Sequence, residues 1–184
     1  MNELKEQLLN RIIELGVFKT GEFTLVSGAK SNFYIDGRLI TLDAIGSELI
    51  AKIILKNLHK DVEAIGGPAT AAIPIVSSTV LLSSILYKRN LKGFYIRPST
   101  KKHGLSNIIE GSFDFKNKVA IVDDTITSGQ SLLTSIKEIE NGDGKVLQTI
   151  SIFDRNEGGV EKLEKAGYRN FSIFKYNHKD NCLA

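Results

Sequence analysis

Hydrophobic residues follow two different spacings along this chain, one typical of helices and one typical of buried strands. The N-terminal segment predicts a first helix that ends at Gly16, because apolar side chains recur at helical spacing at Leu4, Leu8, Ile12 and Leu15. GEFTLVSGAKSNFYIDGR, which follows, predicts two short strands around a turn at Ser27-Gly28. Asp43 is then placed to cap a helix that runs to about Leu58.

From residue 62 onward, predicted strands alternate with predicted helices. Apolar runs predict strands at VEAIGG, KGFYIR, KVAIVDD, KVLQTISIFD and NFSIFKY, and helical spacing predicts helices over residues 73–87, 129–140 and 160–166. This alternation predicts an α/β fold with a central, mostly parallel sheet flanked by helices. Ligands bind beyond the carboxyl ends of the strands in such sheets, so polar residues at those ends are candidates for a functional site.

Composition narrows the class of protein without identifying it. With 184 residues, 42% of them hydrophobic and 24% charged, we expect a single domain over residues 1–184. The net charge of +3 is too small to predict nucleic-acid binding, and the one cysteine, Cys182, excludes an intrachain disulfide. Residues 64–87 carry no charge, but their glycines and prolines favour a strand, a turn and a buried helix over a membrane span. The N-terminus lacks a secretory pattern, so we expect a cytoplasmic protein.

Candidate chemistry is concentrated in VAIVDDTITSGQSL, residues 119–132. An apolar strand runs into Asp123 and Asp124, and then into a loop of small hydroxyl residues around Gly129. A loop of this kind before a helix binds phosphate through backbone N–H groups. The two carboxylates would repel phosphate but suit vicinal hydroxyls or a hydrated magnesium ion, so the combination predicts a ribose 5-phosphate group. Solvated aspartates at a strand end, or a helix cap, remain the alternative.

Two other segments are candidates for contacts with an anion. YIRPSTKKHGLSNIIEG, residues 95–111, has no core face and predicts a mobile surface loop, whose clustered cations suit a polyanionic leaving group. Those cations are Arg97, Lys101, Lys102 and His103. GGPATAA, residues 66–72, ends a strand in residues too small to pack, so its backbone could contact a diphosphate. The alternatives are a solvated charged loop and a plain tight turn.

Together these segments resemble the type I phosphoribosyltransferases, since VAIVDDTITSG is similar to the phosphoribosyl diphosphate motif of that family. Within the family, the chain resembles the orotate-specific branch. The segments that carry this resemblance are GEFTLVSGAKSNFYIDGR, the basic loop from KKHG to IEG, GGPATAAIP and SIFDRNEGG. It covers the chain from about Leu15 to Tyr176, and it implies the type I phosphoribosyltransferase fold with a small N-terminal hood, largely from residues 1–40.

The resemblance implies a glycosyltransferase of the pentosyltransferase class that needs Mg²⁺. Orotate attacks C1 of 5-phosphoribosyl 1-diphosphate, diphosphate leaves, and orotidine 5′-monophosphate forms, as a step of pyrimidine biosynthesis. The transition state carries positive charge at the ribose, so catalysis is mainly positioning and electrostatics. The resemblance also implies a homodimer in which the loop of residues 97–110 reaches the neighbouring site, with no nucleic-acid or membrane partner.

The resemblance further assigns roles residue by residue. Asp123 and Asp124 would hold the ribose hydroxyls, and either could contact the magnesium ion, which the diphosphate mainly holds. The diphosphate would be bound by the basic loop, at Arg97, Lys101, Lys102 and His103. Of these, Lys101 and His103 would join the two aspartates in catalysis.

The remaining roles concern the phosphate and the base. The 5′-phosphate would be wrapped by Thr125, Ile126, Thr127, Ser128, Gly129, Gln130 and Ser131. Arg155 would pair with the orotate carboxylate, a use that suits a planar, bidentate donor. Tyr34 and Ile35, together with Phe33, would form an apolar hood over the pyrimidine, which Thr127 would also touch.

Three positions depart from the family pattern, because Val26, Ala71 and Pro98 stand where many members carry lysine. The absence of these lysines removes up to three cations from the diphosphate region. We expect this to affect the rate of the reaction rather than its class. Two rival functions stay open: a transferase for another base, in which Arg155 has no role, and a regulator that only binds phosphoribosyl diphosphate. A regulator typically carries a DNA-binding module, which we do not expect here, and the basic loop favours catalysis.

Overall fold

Helices and strands follow one another in the predicted alternation over the residues that the computed structural model describes, which are 3–24, 28, 30–98 and 108–184. The helices are α1 (Glu3–Glu14), α2 (Gly37–Thr41), α3 (Ala44–Asn57), α4 (Ala72–Tyr87), α5 (Gln130–Glu140) and α6 (Gly159–Lys165). The strands are β1 (Phe18–Thr24), β2 (Lys30–Ile35), β3 (Ala64–Pro68), β4 (Lys92–Ile96), β5 (Ile109–Gly111), β6 (Lys118–Ile126), β7 (Lys145–Asp154), β8 (Asn170–Asn177) and β9 (Cys182–Leu183).

Within those residues, the central element is a seven-stranded sheet in the order β5-β4-β3-β6-β7-β8-β9. The five central strands, β4, β3, β6, β7 and β8, pair parallel with one another. The edge strands β5 and β9 pair antiparallel with β4 and β8. β1 and β2 form a separate antiparallel hairpin. The predicted α/β fold, with a mostly parallel sheet and a small N-terminal unit, is confirmed.

The central strand β6 shows why this sheet is buried on both faces. Successive strand residues point to opposite faces, and here both sets are apolar. Val119 and Ile121 pack in one cluster with residues of α5 and α6. Ala120 and Val122 pack in a second cluster with α1, α3 and α4. The two helix layers therefore hold β6 in place and fix the position of the residues at its carboxyl end.

Several local predictions are confirmed. The first helix and the hairpin form where the sequence predicts them, and the Asp43 side chain caps α3 by accepting the Gly46 N–H at 2.8 Å. The charge-free residues 64–87 form β3, a turn and α4. In the described ranges, none of the helices combines the length and the apolar character that crossing a bilayer requires.

In the same ranges, three short elements escape the sequence prediction: α2, β5 and β9, with 5, 3 and 2 residues. None is long enough to show a hydrophobic period. The prediction of a loop over residues 95–111 is wrong at its two ends, because Ile96 in β4 pairs with Ile109 in β5. The centre of that segment, residues 99–107, lies outside the described residues.

β6 is longer than predicted and continues through both aspartates to Ile126. Its pairing with β3 ends at Ile121, whereas its pairing with β7 continues to the last residue. The added strand length is thus stabilised from one side only. Residues from Asp123 onward extend past the end of β3, and this open edge at the carboxyl end of the sheet is where the topology favours a ligand.

Candidate active site

Asp123 and Asp124 lie on the part of β6 that extends past β3. Asp123 is 6% exposed, and its Oδ1 accepts the backbone N–H of Asp124 at 2.9 Å. Asp124 is half-buried, and Gly37 approaches it so closely that a Cβ atom built on Gly37 would lie 2.6 Å from its Oδ2. The N-terminus of α2 therefore forms a wall beside the aspartate pair, and only glycine fits there.

Burial raises the pKa of both carboxyl groups. For Asp123 the pKa rises to about 7, first because burial disfavours the charged form and then because Asp124 adds like charge. Burial is also the main cause of the raised pKa of Asp124. An ionised carboxylate that is buried with few hydrogen-bond donors destabilises the fold. A ligand with hydroxyl donors, or a cation, would stabilise the ionised form. The raised pKa values distinguish the pair from ordinary solvated aspartates.

We expect Asp123→Asn to stabilise the fold at pH 8 and to change its stability little at pH 4. Between the ordinary carboxyl pKa of 3.8 and the raised value of about 7, the folded protein keeps a proton that the unfolded chain has released. Stability therefore falls as pH rises through this window, and the substitution removes that loss. The gain at pH 8 should be at least about 1 kcal/mol, or about 2–4 °C in Tm for a chain of this size.

Thermal melts at the two pH values check this expectation. Asp61→Asn is the control, because Asp61 is exposed. An equal effect of Asp123→Asn at pH 4 and pH 8 would contradict the raised pKa of Asp123.

The loop after β6 presents polar groups beside the N-terminus of α5. Thr127, Ser128 and Ser131 are exposed, and Thr125 is half-buried at the end of β6. Gly129 has a φ of 72°, in the left-handed region that favours glycine. The first N–H groups of the 11-residue helix α5 have no partner within the helix, so with this loop they present donors where the sequence predicts an anion site.

Two residues of the predicted phosphate loop point their side chains elsewhere. Ile126 is 2% exposed and packs in the core with α5 and α6. The Gln130 side chain accepts a hydrogen bond from Lys162 at 3.1 Å and donates one to Thr134 at 3.3 Å. Any contact that these two residues make with a phosphate would therefore come from the backbone.

The phosphate loop rests on the N-terminus of α6. A Cβ atom built on Gly159 would lie 2.5 Å from the Thr127 carbonyl oxygen and 2.8 Å from the Gly129 nitrogen. We expect Gly159→Ala to displace the loop and to raise the Kd for ribose 5-phosphate about 10-fold, which corresponds to the loss of about one hydrogen bond to the charged phosphate.

Titration calorimetry measures this Kd, and Gly158→Ala is the matched control. A Cβ atom on Gly158 meets nothing within 4 Å, although its φ of 89° makes the substitution strained. Gly158→Ala should therefore lower Tm without changing the Kd. An unchanged Kd in Gly159→Ala would show that the loop does not depend on this contact.

A cavity of about 430 Å³ opens beside Asp124. The hairpin lines it with Tyr34 and Ile35, and the turn between β3 and α4 lines it with Thr70 and Ala71. The Ala69–Thr70 peptide bond in this turn is cis. The fold therefore brings together one predicted ribose contact, two predicted hood residues and the predicted diphosphate turn around a space large enough for a small ligand.

Arg97 is the member of the predicted basic cluster that the structure describes. Its Nη1 lies 2.7 Å from Oε1 of Glu110, and the Tyr95 hydroxyl donates to the other Glu110 oxygen at 2.6 Å. These contacts lower the pKa of Glu110 and keep it ionised. An anionic ligand would have to compete with Glu110 for Arg97. Lys101, Lys102 and His103 lie outside the described residues, as does Val26.

Arg155 follows β7 directly and is 5% exposed. Its backbone N–H donates to the Ile126 carbonyl at 2.9 Å, and its side chain donates to Ser31 at 3.0 Å. Arg155 therefore lies between the end of β6 and the hairpin that carries Tyr34 and Ile35. Phe33 differs from those two residues, since it is 2% exposed and stacks on Tyr176 at 3.8 Å.

Sequence reasoning missed the residues that hold these groups in place. They are Ser31, Gly37, Glu110 and Glu157. Each falls inside a segment that carries the family resemblance, which is the one signal that could have found them. Spacing gives no sign of their contacts, because these depend on how the hairpin and loops meet.

The donor set fits a magnesium ion that is shared with a substrate. No group of three or more His, Cys, Asp or Glu side chains that could hold a metal occurs in the part of the chain described. Mg²⁺ prefers oxygen ligands and commonly takes one or two carboxylates, several waters and the phosphates of a substrate. Asp123 and Asp124 can supply those carboxylates.

Comparisons with known proteins identify the family of this chain. Residues 42–182 match the family described as the phosphoribosyl transferase domain. The orotate phosphoribosyltransferase of Methanosphaera stadtmanae is 34% identical over 90% of this chain and 90% of its own length, and that of Pyrococcus horikoshii is 31% identical over 93% and 90%. A crystal structure of Mycobacterium tuberculosis orotate phosphoribosyltransferase with inorganic phosphate is 27% identical, with a TM-score of 0.79 over 94% of this chain and 95% of that one.

The structure and the comparisons therefore support the same family. The open end of β6 combines paired acidic residues with a phosphate loop, and the relatives share this chain over nearly its whole length. The chain belongs to the phosphoribosyl transferase domain family and, within it, to the orotate phosphoribosyltransferases.

Proposed function

We propose that this chain transfers the 5-phosphoribosyl group from 5-phosphoribosyl 1-diphosphate to orotate, giving orotidine 5′-monophosphate and diphosphate in UMP biosynthesis. The observation that carries this proposal is the open end of β6, where a buried and a half-buried carboxyl group, both with raised pKa, lie directly before the predicted phosphate loop. Vicinal hydroxyls next to a phosphate match that order of groups, and a ribose 5-phosphate offers both.

The aspartate pair would act on the ribose. Its hydroxyls donate to the carboxylates of Asp123 and Asp124, which lowers the free-energy cost of keeping both ionised. Positive charge develops on the ribose as the bond from C1 to the diphosphate oxygen breaks and the bond to the orotate nitrogen forms. Two ionised carboxylates close to that ring stabilise the charge in a site of low dielectric.

The phosphate and the base would be held on either side of the ribose. Backbone N–H groups from Thr127 to Ser131 bind the 5′-phosphate at the start of α5, and the exposed Thr127 and Ser128 hydroxyls add donors. Arg155 binds the carboxylate of orotate, while Tyr34 and Ile35 cover the pyrimidine. Holding both partners this way lowers the entropic part of the barrier.

The diphosphate would lie between the turn after β3 and the basic loop. Arg97 exchanges Glu110 for the diphosphate, and Lys101, Lys102 and His103 complete its binding. Asp123 or Asp124, together with the diphosphate, would hold a Mg²⁺ ion, which would supply positive charge to the leaving group. Ala71 and Pro98 place no cations there, so we expect this binding to depend strongly on the loop.

We also propose a homodimer in which residues 97–110 reach the neighbouring site. Large apolar side chains are exposed at the start of α3, with Leu42 at 73% and Ile45 at 53%, and on α4, with Leu81 at 60% and Ile85 at 53%. Exposed apolar surface of this kind is typical of protein interfaces. Sedimentation at working concentration should show a dimer, and an active monomer would count against it.

The proposal includes a single domain over residues 1–184, with the hood mainly from residues 1–40, in the cytoplasm. The seven-stranded sheet of the described residues spans β3 to β9, and α1 packs in the same apolar cluster as α3 and α4. We therefore expect one cooperative unfolding transition. Two separate unfolding transitions would show that the chain contains two domains.

Absorbance loss of orotate, on mixing with this protein, phosphoribosyl diphosphate and magnesium, tests the proposed function. Magnesium-dependent loss with appearance of orotidine 5′-monophosphate is the expected result. Turnover of adenine, hypoxanthine, guanine, xanthine or uracil in place of orotate would identify a transferase for another base. Binding of phosphoribosyl diphosphate without turnover of any base would identify a regulator.

A further inference from the structure

The Arg155 guanidinium is contacted by three side chains, those of Glu157, Ser31 and Phe33. Its Nε donates to Oε1 of Glu157 at 3.0 Å, and its Nη2 donates to Oγ of Ser31 at 3.0 Å. Its Cζ lies 4.1 Å from the centre of the Phe33 ring. A buried cation over an aromatic face is attracted by the ring quadrupole, and this attraction is larger when water is excluded.

The Phe33 ring is held in place by a stacked aromatic neighbour on the central sheet. It stacks on Tyr176 of β8 with a centroid distance of 3.8 Å and an interplanar angle of 27°. Tyr176 is 1% exposed, and its hydroxyl donates to Asn181 at 3.0 Å. The hairpin is thus anchored on the central sheet through this stacked pair, and the face of Phe33 toward Arg155 has a defined position.

Ser31 is oriented as an acceptor for Arg155. A hydroxyl has one proton, and Ser31 donates it to the Phe33 carbonyl oxygen at 2.7 Å. Its lone pairs therefore remain for the Nη2 of Arg155. Because Ser31 is neutral, it directs the guanidinium without cancelling the positive charge.

One end of the guanidinium stays free for a ligand. Nη1 has no hydrogen-bond partner among the described residues. The Arg155 side chain is 6% exposed, so a small part of it reaches solvent. Nη1 and the second proton of Nη2 together form the edge that binds a carboxylate through two parallel hydrogen bonds.

We propose that Phe33 and Ser31 are positioning residues that aim this free edge of Arg155 at the carboxylate of the base. The inference rests on the proposed function and adds the origin of its base specificity. Phe33 then belongs to the support of Arg155 rather than to the lining of the hood. Selection of a carboxylated base depends on docking of the hairpin against β8, because without Phe33 the arginine loses its aromatic support and its fixed direction.

Steady-state kinetics of Phe33→Leu test the proposal, with Phe33→Tyr as the conservative variant. Phe33 lines a cavity of about 230 Å³, and tyrosine keeps the aromatic ring that the contact with Arg155 requires. Phe33→Leu should raise the KM for orotate by about 3- to 30-fold, the range of a cation–π contact, and leave the KM for phosphoribosyl diphosphate within about 2-fold. Phe33→Tyr should behave as the unmodified protein.

Ser31→Ala provides a second test that does not alter the aromatic stack. It should raise the KM for orotate by about 3- to 10-fold, the effect of losing one ordinary hydrogen bond, because Ser31 supports Arg155 and does not itself bind the carboxylate. Both Phe33→Leu and Ser31→Ala should also lower the ratio of kcat/KM for orotate to that for uracil, which a merely structural role would not change.

Several outcomes would overturn the proposal. Equal increases of KM for both substrates, an unchanged ratio of orotate to uracil, or a Phe33→Tyr variant as impaired as Phe33→Leu would each do so. If Phe33→Leu does not fold, an unchanged KM for orotate in Ser31→Ala overturns it. Absence of orotate turnover in the unmodified protein would remove the proposed function as well, so the two failures are distinguishable.

Discussion

Replacement of Asp123 and Asp124 together by asparagine is expected to abolish turnover while the fold stays intact. Each carboxylate that accepts a hydroxyl hydrogen bond contributes about 1.5–3 kcal/mol, so loss of both corresponds to about 100-fold to 10,000-fold in kcat/KM. Loss of negative charge beside the developing positive charge on the ribose adds to this effect. The fold should tolerate the change, because the two buried carboxyl groups have raised pKa values and are destabilising when ionised.

Binding measurements separate the role of the pair from a general loss of the site. The double variant should lose most of its affinity for ribose 5-phosphate but keep its affinity for inorganic phosphate, since the loop from Thr127 to Ser131 is unchanged. Asp61→Asn, at an exposed position, serves as the matched control. Full activity in the double variant would defeat the assignment of the pair to the ribose.

Arg155→Ala is expected to raise the KM for orotate about 10- to 150-fold and to leave the KM for phosphoribosyl diphosphate nearly unchanged. The range corresponds to about 1.5–3 kcal/mol for hydrogen bonds to a charged group. The low exposure of Arg155, 5%, places it at the upper part of that range, because water cannot replace the lost donor easily. Initial rates with each substrate varied in turn measure both constants.

Two further variants sharpen this test. Arg155→Lys keeps the charge but loses the planar pair of donors, so its KM for orotate should lie between those of Arg155→Ala and the unmodified protein. Arg169→Ala removes an exposed arginine and should change neither constant. Equal changes of both constants in Arg155→Ala would count against a carboxylate role.

Much of the fold could be predicted from local pattern. Val119 to Val122 are apolar without interruption, as a strand covered on both faces requires, and the helices on either side carry helical spacing. In the longer helices this spacing repeats over ten residues or more, so it can be recognised without knowing what the helix packs against. Elements as short as α2, β5 and β9 have no room for a period, so they could not be predicted, and neither could the continuation of β6 past Asp124.

The site shows the same division between chemistry and geometry. The amino-acid types alone establish which groups are available: two adjacent acidic residues, a glycine-containing hydroxyl loop, a cluster of cations and an arginine after a strand. Residue types state their donors, acceptors and charges directly. That information, with the family resemblance, was enough to predict ribose, phosphate and carboxylate recognition.

The way in which those groups are held follows from the folded chain. Folding turned Ile126 into the core, brought Gly37 against Asp124, set Gly159 under the phosphate loop and placed Arg155 between Ser31 and Phe33. Ser31 and Arg155 are 124 positions apart in the chain, and no local preference connects them. Their meeting depends on the hairpin packing on Tyr176, and close packing of distant segments is a property of the whole core.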